Sequence, residues 1–291
     1  MTKYTVKTQY GTFKVAVNED INIDFTTRES KSIGKMITVG GRNRCVGIHA
    51  PYSSNTAHLL NISRTAGGCE MTDAIISGLK TVGMLNLAFT FLKQEMPHIV
   101  HIELEDKSDF PCTLSDGSVV GISLAKYEMM FHQQSWYERY FGAYLINPDL
   151  RKLYLKMKEN FNKKPKQDEI RFHNKDLSKV LPQLLEESAT WKEFFAKVYT
   201  MENRCEVIFS WYSEALQTIF DNISFDRQSW LIDVQTTPSV EYETLQVQQG
   251  GKYTRRNVYS KKSPYYKSRE HMFYDDIYSM PITIKYSSSE T

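Results

Sequence analysis

The most constraining stretch of this chain is a strand, a glycine turn, a long apolar helix and a second strand, in that order, between residues 57 and 105. Ala57-His58-Leu59-Leu60-Asn61-Ile62-Ser63 has strand character, and Arg64-Thr65-Ala66-Gly67-Gly68-Cys69 is a turn. The pattern then predicts a helix from about Met71 to Gln94, ended by Pro97, and a strand over His98–Glu105. Apolar residues at 75, 79, 82, 85, 89 and 92 form one helical stripe. Ile76, Met84, Leu87 and Phe91 extend apolar character to further sides, so this helix should be covered both by a sheet and by another helical layer. A strand, a glycine turn and a helix N-terminus together form an anion-binding device. The glycines admit close approach of a ligand, and the unpaired N–H groups of the first helical turn point at it.

Upstream, residues 3–25 alternate as strands, with Phe13, Val15 and Val17 on one face and Ile21, Ile23 and Phe25 repeating the pattern after a turn at Asn18-Glu19-Asp20. Residues 26–35 are polar and read as a loop. Met36–Val39 and Cys45–His49 suit a hairpin around Gly40-Gly41-Arg42-Asn43.

Downstream, Asp106–Gly121 reads as a loop or small hairpin, and Ile122–Tyr140 as one helix ending near Gly142. From Asn147 the character becomes helical and basic, with helices expected over Leu150–Phe161, Lys175–Glu187, Thr190–Tyr199 and Arg204–Phe220. Trp191, Phe194, Phe195, Trp211 and Phe220 are the candidate core of that part. The expected organisation is an α/β domain at 1–146, a helical domain at 147–234 and a basic, tyrosine-rich C-terminal arm at 235–291.

No acidic residue lies between Glu243 and Glu270. That window holds Lys252, Arg255, Arg256, Lys261, Lys262, Lys267 and Arg269, interleaved with Tyr253, Tyr259, Tyr265 and Tyr266. Alone in water it would be extended. Three readings stay open: an arm laid over a neighbouring protein in an assembly, a nucleic-acid contact through phosphates and base stacking, or a solvated tail.

At 291 residues, with 41% hydrophobic and 24% charged residues, the chain can bury a sizeable core. Its net charge of +2 decides nothing by itself. Cys45, Cys69, Cys112 and Cys205 form no CxxC pair and lie at no metal-ligand spacing from a histidine. They point to free thiols in a reducing compartment and to no metal. His58 and His101, on neighbouring predicted strands, lack a third ligand. The first residues carry no signal-peptide pattern, and no apolar run is long enough for a transmembrane helix.

Residues 57–144 resemble the acyl-CoA-binding core of the GCN5-related N-acetyltransferase (GNAT) superfamily. That family places a turn written Arg/Gln-x-x-Gly-x-Gly/Ala between a strand and a helix. Arg64-Thr65-Ala66-Gly67-Gly68-Cys69 matches it at Arg64 and Gly67, with Cys69 as the closing small residue. A later family signature, Tyr-Glu-Lys followed by Gly and an aromatic, resembles Tyr137-Glu138-Arg139-Tyr140-Phe141-Gly142-Ala143. One extra residue is present here, and the aromatic after the glycine is absent. With its Ser135-Trp136-Tyr137-Glu138 run, the chain is similar to GNAT-like proteins of large nucleocytoplasmic DNA viruses.

The resemblance implies a mixed, twisted α/β (α+β) sheet with flanking helices. It implies acetyl-CoA held through its pyrophosphate by residues 64–69, and transfer of the acyl group to an amine. Tyr137 would be the acid, and Glu103 and Glu105, which share a strand face, are candidate bases. It also implies an alternative, a catalytically silent virion-associated protein that uses its arm against neighbouring capsid proteins. The expected location is the cytoplasm of an infected cell or the virion.

Overall fold

A computed structural model describes residues 1–24, 29–40, 45–62, 71–74, 80–106, 109–165, 177–209 and 228–249. The chain forms two compact units, one from Met1–Val100 with the segment that begins at Thr236, the other from His101–Gln235. The fold is mixed α and β, and the strand pairings described within each unit are antiparallel.

The first unit is a meander of β1 (Thr2–Thr8), β2 (Gly11–Ile23), β3 (Ser30–Val39), β4 (Val46–Pro51) and β5 (Thr56–Ile62), each paired with the next. β12 (Glu243–Gln249) adds to the outer side of β1. Alternation buries Phe13, Val15 and Val17 as expected. Asn18–Asp20 is not a turn, because β2 runs through it with only a bulge at Asp20/Ile21. Residues 30–35, expected in a loop, extend β3 so that Lys35 lies opposite Glu19. This cross-strand pair of opposite charges suits a ladder. Beyond the bulge, Ile21 and Ile23 stand exposed.

Helix α1 spans Lys80–Glu95 and packs on β3 and β4. Its expected first residues, from Met71, are not helical. Met71–Ala74 instead forms β6, paired with Gly11–Phe13 of β2. The reason is geometric. β3 ends opposite Val15, so the first residues of β2 have an open edge that accepts another strand.

In α1, Met84, Leu85, Leu87, Ala88, Phe89, Phe91 and Leu92 are all buried. The sheet covers one side. On another side lies an extended segment rather than the expected helical layer. Val240 N–H donates to Thr90 Oγ1 at 2.9 Å, Lys93 Nζ to the Thr237 carbonyl at 2.5 Å, and Tyr242 stacks on Phe91 with ring centroids 5.1 Å apart. Lys35 Nζ reaches the Glu95 carboxylate at 2.7 Å, placing a cation at the helix C-terminus, where the dipole favours it.

The second unit holds β7 (His101–Glu105), β10 (Tyr144–Leu145) and β11 (Ser229–Asp233), with β11 between the other two. β8 (Asp109–Thr113) and β9 (Val119–Ser123) form the expected small hairpin. The single helix expected at 122–140 is two, α2 (Leu124–His132) and α3 (Trp136–Phe141). Gln133 takes a left-handed conformation at φ 55°, and the Ser135 hydroxyl accepts the Glu138 N–H at 3.0 Å, starting a new helix. Gly142, at φ 65°, closes α3 as expected.

α4 (Pro148–Asn160), α5 (Leu177–Glu186) and α6 (Trp191–Tyr199) follow, and residues 204–209 are helical. Trp191, Phe194 and Phe195 are buried core, whereas Trp211 and Phe220 lie outside the described residues. Among the described residues, no helix is long and apolar enough to cross a membrane.

The expectation of free thiols is overturned. Cys112 and Cys205 form a disulfide with Cα atoms 5.2 Å apart, and Cys45 is also disulfide-bonded. The fold brings together cysteines 93 positions apart, a pairing that local spacing does not reveal.

Gly83 offers a test of how tightly α1 is held. A Cβ built there would lie 2.7 Å from Tyr10 Cγ. In a free helix Gly→Ala stabilises by ~1 kcal/mol. Here Gly83→Ala should instead destabilise by ~1–3 kcal/mol in urea unfolding, as overpacking does. A gain in stability would mean that the Tyr10 contact is not formed.

Candidate functional site

The turn at the centre of the functional reading, Arg64, Thr65, Ala66, Gly67, Gly68 and Cys69, lies outside the described residues. Its approach is described: β5 runs to Ile62, which is buried. Lys252, Arg255, Arg256, Lys261, Lys262, Lys267 and Arg269 of the arm also lie outside the described residues.

Glu103 and Glu105 share a face of β7, as expected. Ile102 and Leu104 point the other way and are buried, while Glu103 is half-buried and Glu105 exposed. Leu231 lies opposite Glu103 and Ser229 opposite Glu105. Tyr137 sits in the first turn of α3 with 1% of its surface exposed, its ring edge-on to Trp136 at 5.1 Å.

Around α3 the structure assembles two polar clusters that sequence reasoning did not find. In the first, Tyr154 Oη accepts the Ser135 N–H at 2.8 Å and donates to Glu138 Oε2. Lys158 Nζ donates to the other Glu138 oxygen at 2.8 Å. Burial, then the Glu138 charge, pushes the Tyr154 hydroxyl above its ordinary range, so it is a donor at any physiological pH. This knot joins α3 to α4 and fixes the helix that carries Tyr137.

The second cluster is on α2. Glu128 is fully buried. Arg139 Nη1 donates to its Oε2 at 3.2 Å, and Arg139 Nη2 to Tyr140 Oη at 2.8 Å. The other carboxylate oxygen, Oε1, faces His132 Nε2 at 4.0 Å and, among the described residues, accepts no hydrogen bond. Burial outweighs Arg139 and raises the Glu128 carboxyl to about 7, with Asp106 adding repulsion. His132 is lowered to about 4, chiefly by burial and then by the Arg139 charge. Between these values a neutral acid and a neutral imidazole lie side by side on α2, beyond hydrogen-bond distance of each other. Both clusters left signals in the sequence. Glu128 and His132 are four apart on one helix face, and Ser135-x-x-Glu138 has the residue pattern of a capping box, of which the Ser135 cap is made while the Ser135 N–H goes to Tyr154.

Among the described residues, no group of three or more His, Cys, Asp or Glu is placed to hold a metal ion. His49 and His58 on adjacent strands stack at 6.4 Å, and His49 Nε2 pairs with Asp20 Oδ2 at 3.0 Å. Comparison with known proteins finds no matching family model, no matching curated protein and no matching solved structure.

The two titrating groups of α2 pull stability in opposite directions. Glu128 titrates at 4.5 in the unfolded chain and about 7 in the fold. Its contribution is therefore full below about 4.5 and is lost as pH rises through about 7. His132 titrates at 6.5 unfolded and about 4 folded, so its contribution is present above about 6.5 and is lost as pH falls through about 4. Urea unfolding of Glu128→Gln between pH 4.5 and 6.5 should show stability rising with pH relative to the parent, by up to ~1 kcal/mol per pH unit. His132→Asn should show the opposite slope. Curves parallel to the parent for both variants would contradict this pairing.

Proposed function

We propose that this chain is a GNAT-type N-acyltransferase that takes acetyl-CoA or a related thioester. The observation that carries this reading is the order of elements. β5 leads into the glycine turn, α1 and β7 follow, and the Tyr137-Glu138 helix α3 comes later, closed by Gly142.

In this reading backbone N–H groups of residues 64–69 hold the CoA pyrophosphate, with Arg64 adding charge. The amine nitrogen of the acceptor attacks the thioester carbonyl carbon. Glu103, half-buried on β7, and Glu105, exposed on the same face, are the two candidate bases for the amine proton. The C–S bond then breaks, and Tyr137 supplies a proton to the departing thiolate, giving an amide and free CoA. Because Tyr137 is shielded from water, its proton goes to a partner brought to it rather than to solvent. The protein acts in an infected cell or within a virion.

A second reading rests on a different observation. β12 binds the start of the C-terminal segment to the sheet, immediately before the basic window. This favours a virion-associated component whose arm, including Lys252, Arg255, Arg256, Lys261, Lys262, Lys267 and Arg269, contacts capsid proteins or nucleic acid.

Calorimetric titration with acetyl-CoA separates the two. The first reading expects micromolar binding, about −8 kcal/mol. Gly67→Asp, which places bulk and negative charge where the pyrophosphate sits, should abolish that binding while the thermal midpoint is kept. No binding by the parent, or binding undiminished in the folded variant, would overturn the acyltransferase reading.

A further inference from the structure

β8 and β9 form a sheet of their own, and among the described residues neither pairs with a further strand. Two five-residue strands make a ribbon that is marginal alone in water. Its turn is locally satisfied. The Leu114 N–H donates to the Ser118 carbonyl at 2.8 Å, and the Ser118 N–H to Asp116 Oδ1 at 2.8 Å. β9 runs on into α2, and Ile122 is buried. Two ties join the hairpin to the helical residues 204–209. One is the Cys112–Cys205 disulfide. The other is Glu206 Oε1, which accepts the Ser115 N–H at 2.7 Å and the Ser115 hydroxyl. The Glu206 contacts are exposed to water, where such bonds add little, so the covalent tie dominates.

The two sulfurs differ in access. Cys112 is fully buried, whereas Cys205 is half-buried. Disulfides that solvent thiols can reach are the labile ones. The rest of the second unit does not depend on this bond in the same way. β7, β10 and β11 hold one another through their own ladder, with Ile102, Leu104, Trp230 and Ile232 buried.

We propose that Cys112–Cys205 is a redox-sensitive latch: closed, it holds the β8–β9 hairpin on residues 204–209, and opened by a dithiol it lets the hairpin come away while the ladder of β7, β10 and β11 stays folded. A thiolate of the dithiol attacks the Cys205 sulfur. A mixed disulfide forms there, the Cys112–Cys205 bond breaks, and Cys112 leaves as a thiolate. The second thiol of the reductant then displaces Cys205. The dithiol gives up two electrons and becomes a cyclic disulfide, and its two protons end on Cys112 and Cys205. A cytosol kept reduced by thiols opens the latch, and an oxidising setting outside it keeps the latch shut.

Hydrogen exchange of the full-length protein, with and without dithiothreitol, tests this. Opening the latch should speed exchange in peptides covering residues 109–123 by about a hundredfold, the scale of losing a cross-link. Peptides covering β7 and β11 should be unchanged, and reoxidation should restore the slow exchange. Dithiothreitol also reaches the disulfide at Cys45, so Cys112→Ala with Cys205→Ala isolates the effect. That variant should exchange fast at 109–123 without reductant and gain nothing from it. As an independent readout, Cys205→Ser should expose Cys112 to iodoacetamide, because the hairpin that buries it is no longer held. Free thiols at 112 and 205 in air-oxidised protein would overturn the proposal. So would slow exchange at 109–123 once both are reduced, or a Cys112 that stays unreactive in Cys205→Ser. Loosening that spreads to β7 and β11, or a double-alanine variant that does not fold, would also overturn it, since the bond would then hold the whole unit. None of these outcomes bears on acetyl-CoA binding, so the two proposals fail separately.

Discussion

Helix α1 has almost no face left for water, and the first unit is arranged to meet that constraint. Its seven buried apolar residues from Met84 to Leu92 need cover on more than one side. Each of the Met, Leu and Phe side chains among them contributes ~1.5–3 kcal/mol when taken out of water. The meander supplies a broad apolar surface through β3 and β4. The segment after Thr236 then crosses another side of the helix, held by Thr90, Lys93 and Phe91. That crossing explains why residues so late in the chain belong to the first unit, and it places β12 beside β1. Thr90, a polar residue inside an apolar helix, is satisfied on both counts: it donates to the Asn86 carbonyl at 2.7 Å and accepts from Val240.

The second unit relies on polar contacts that are expensive to bury. Glu138 is kept by three partners, Tyr154, Lys158 and the Ser135-capped helix start. Glu128 is less well served, with Arg139 on one oxygen only. A buried carboxylate held by one cation loses more hydration than the pair restores, so its proton is retained to higher pH.

Much of this architecture is legible in the residues. Alternation in 11–17, the hairpin between β3 and β4, the strand before the glycine turn, the apolar stripe of α1 and the Gly142 terminus all appear where local patterns put them. Misreadings arose where partners outside the local window decide. Met71–Ala74 lies within the expected helix, but the open edge of β2 draws it into a strand. Asn18–Asp20 has turn chemistry, yet a long partner strand carries the ladder through it. Helices α2 and α3 are both rich in apolar residues, on either side of His132-Gln133-Gln134-Ser135. The break lies in the capping geometry of Ser135, which was present in the sequence as the residue pattern of a capping box. Cys112 and Cys205 are joined by the fold across 93 positions, so no spacing rule shows them. Glu103 and Glu105 share a face as strand periodicity requires. The Glu128–His132 contact depends on burial, which a helix-face pattern does not report.

The functional reading links the glycine turn to the elements around it, and backbone hydrogen exchange with and without acetyl-CoA tests that link most directly. If the turn cradles a pyrophosphate through its N–H groups, the cofactor should slow exchange in peptides covering residues 64–70. Peptides from α4 to α6 should be unchanged. Unaltered exchange at 64–70 with saturating acetyl-CoA, or protection confined to other elements, would contradict the assignment of this turn as the cofactor site.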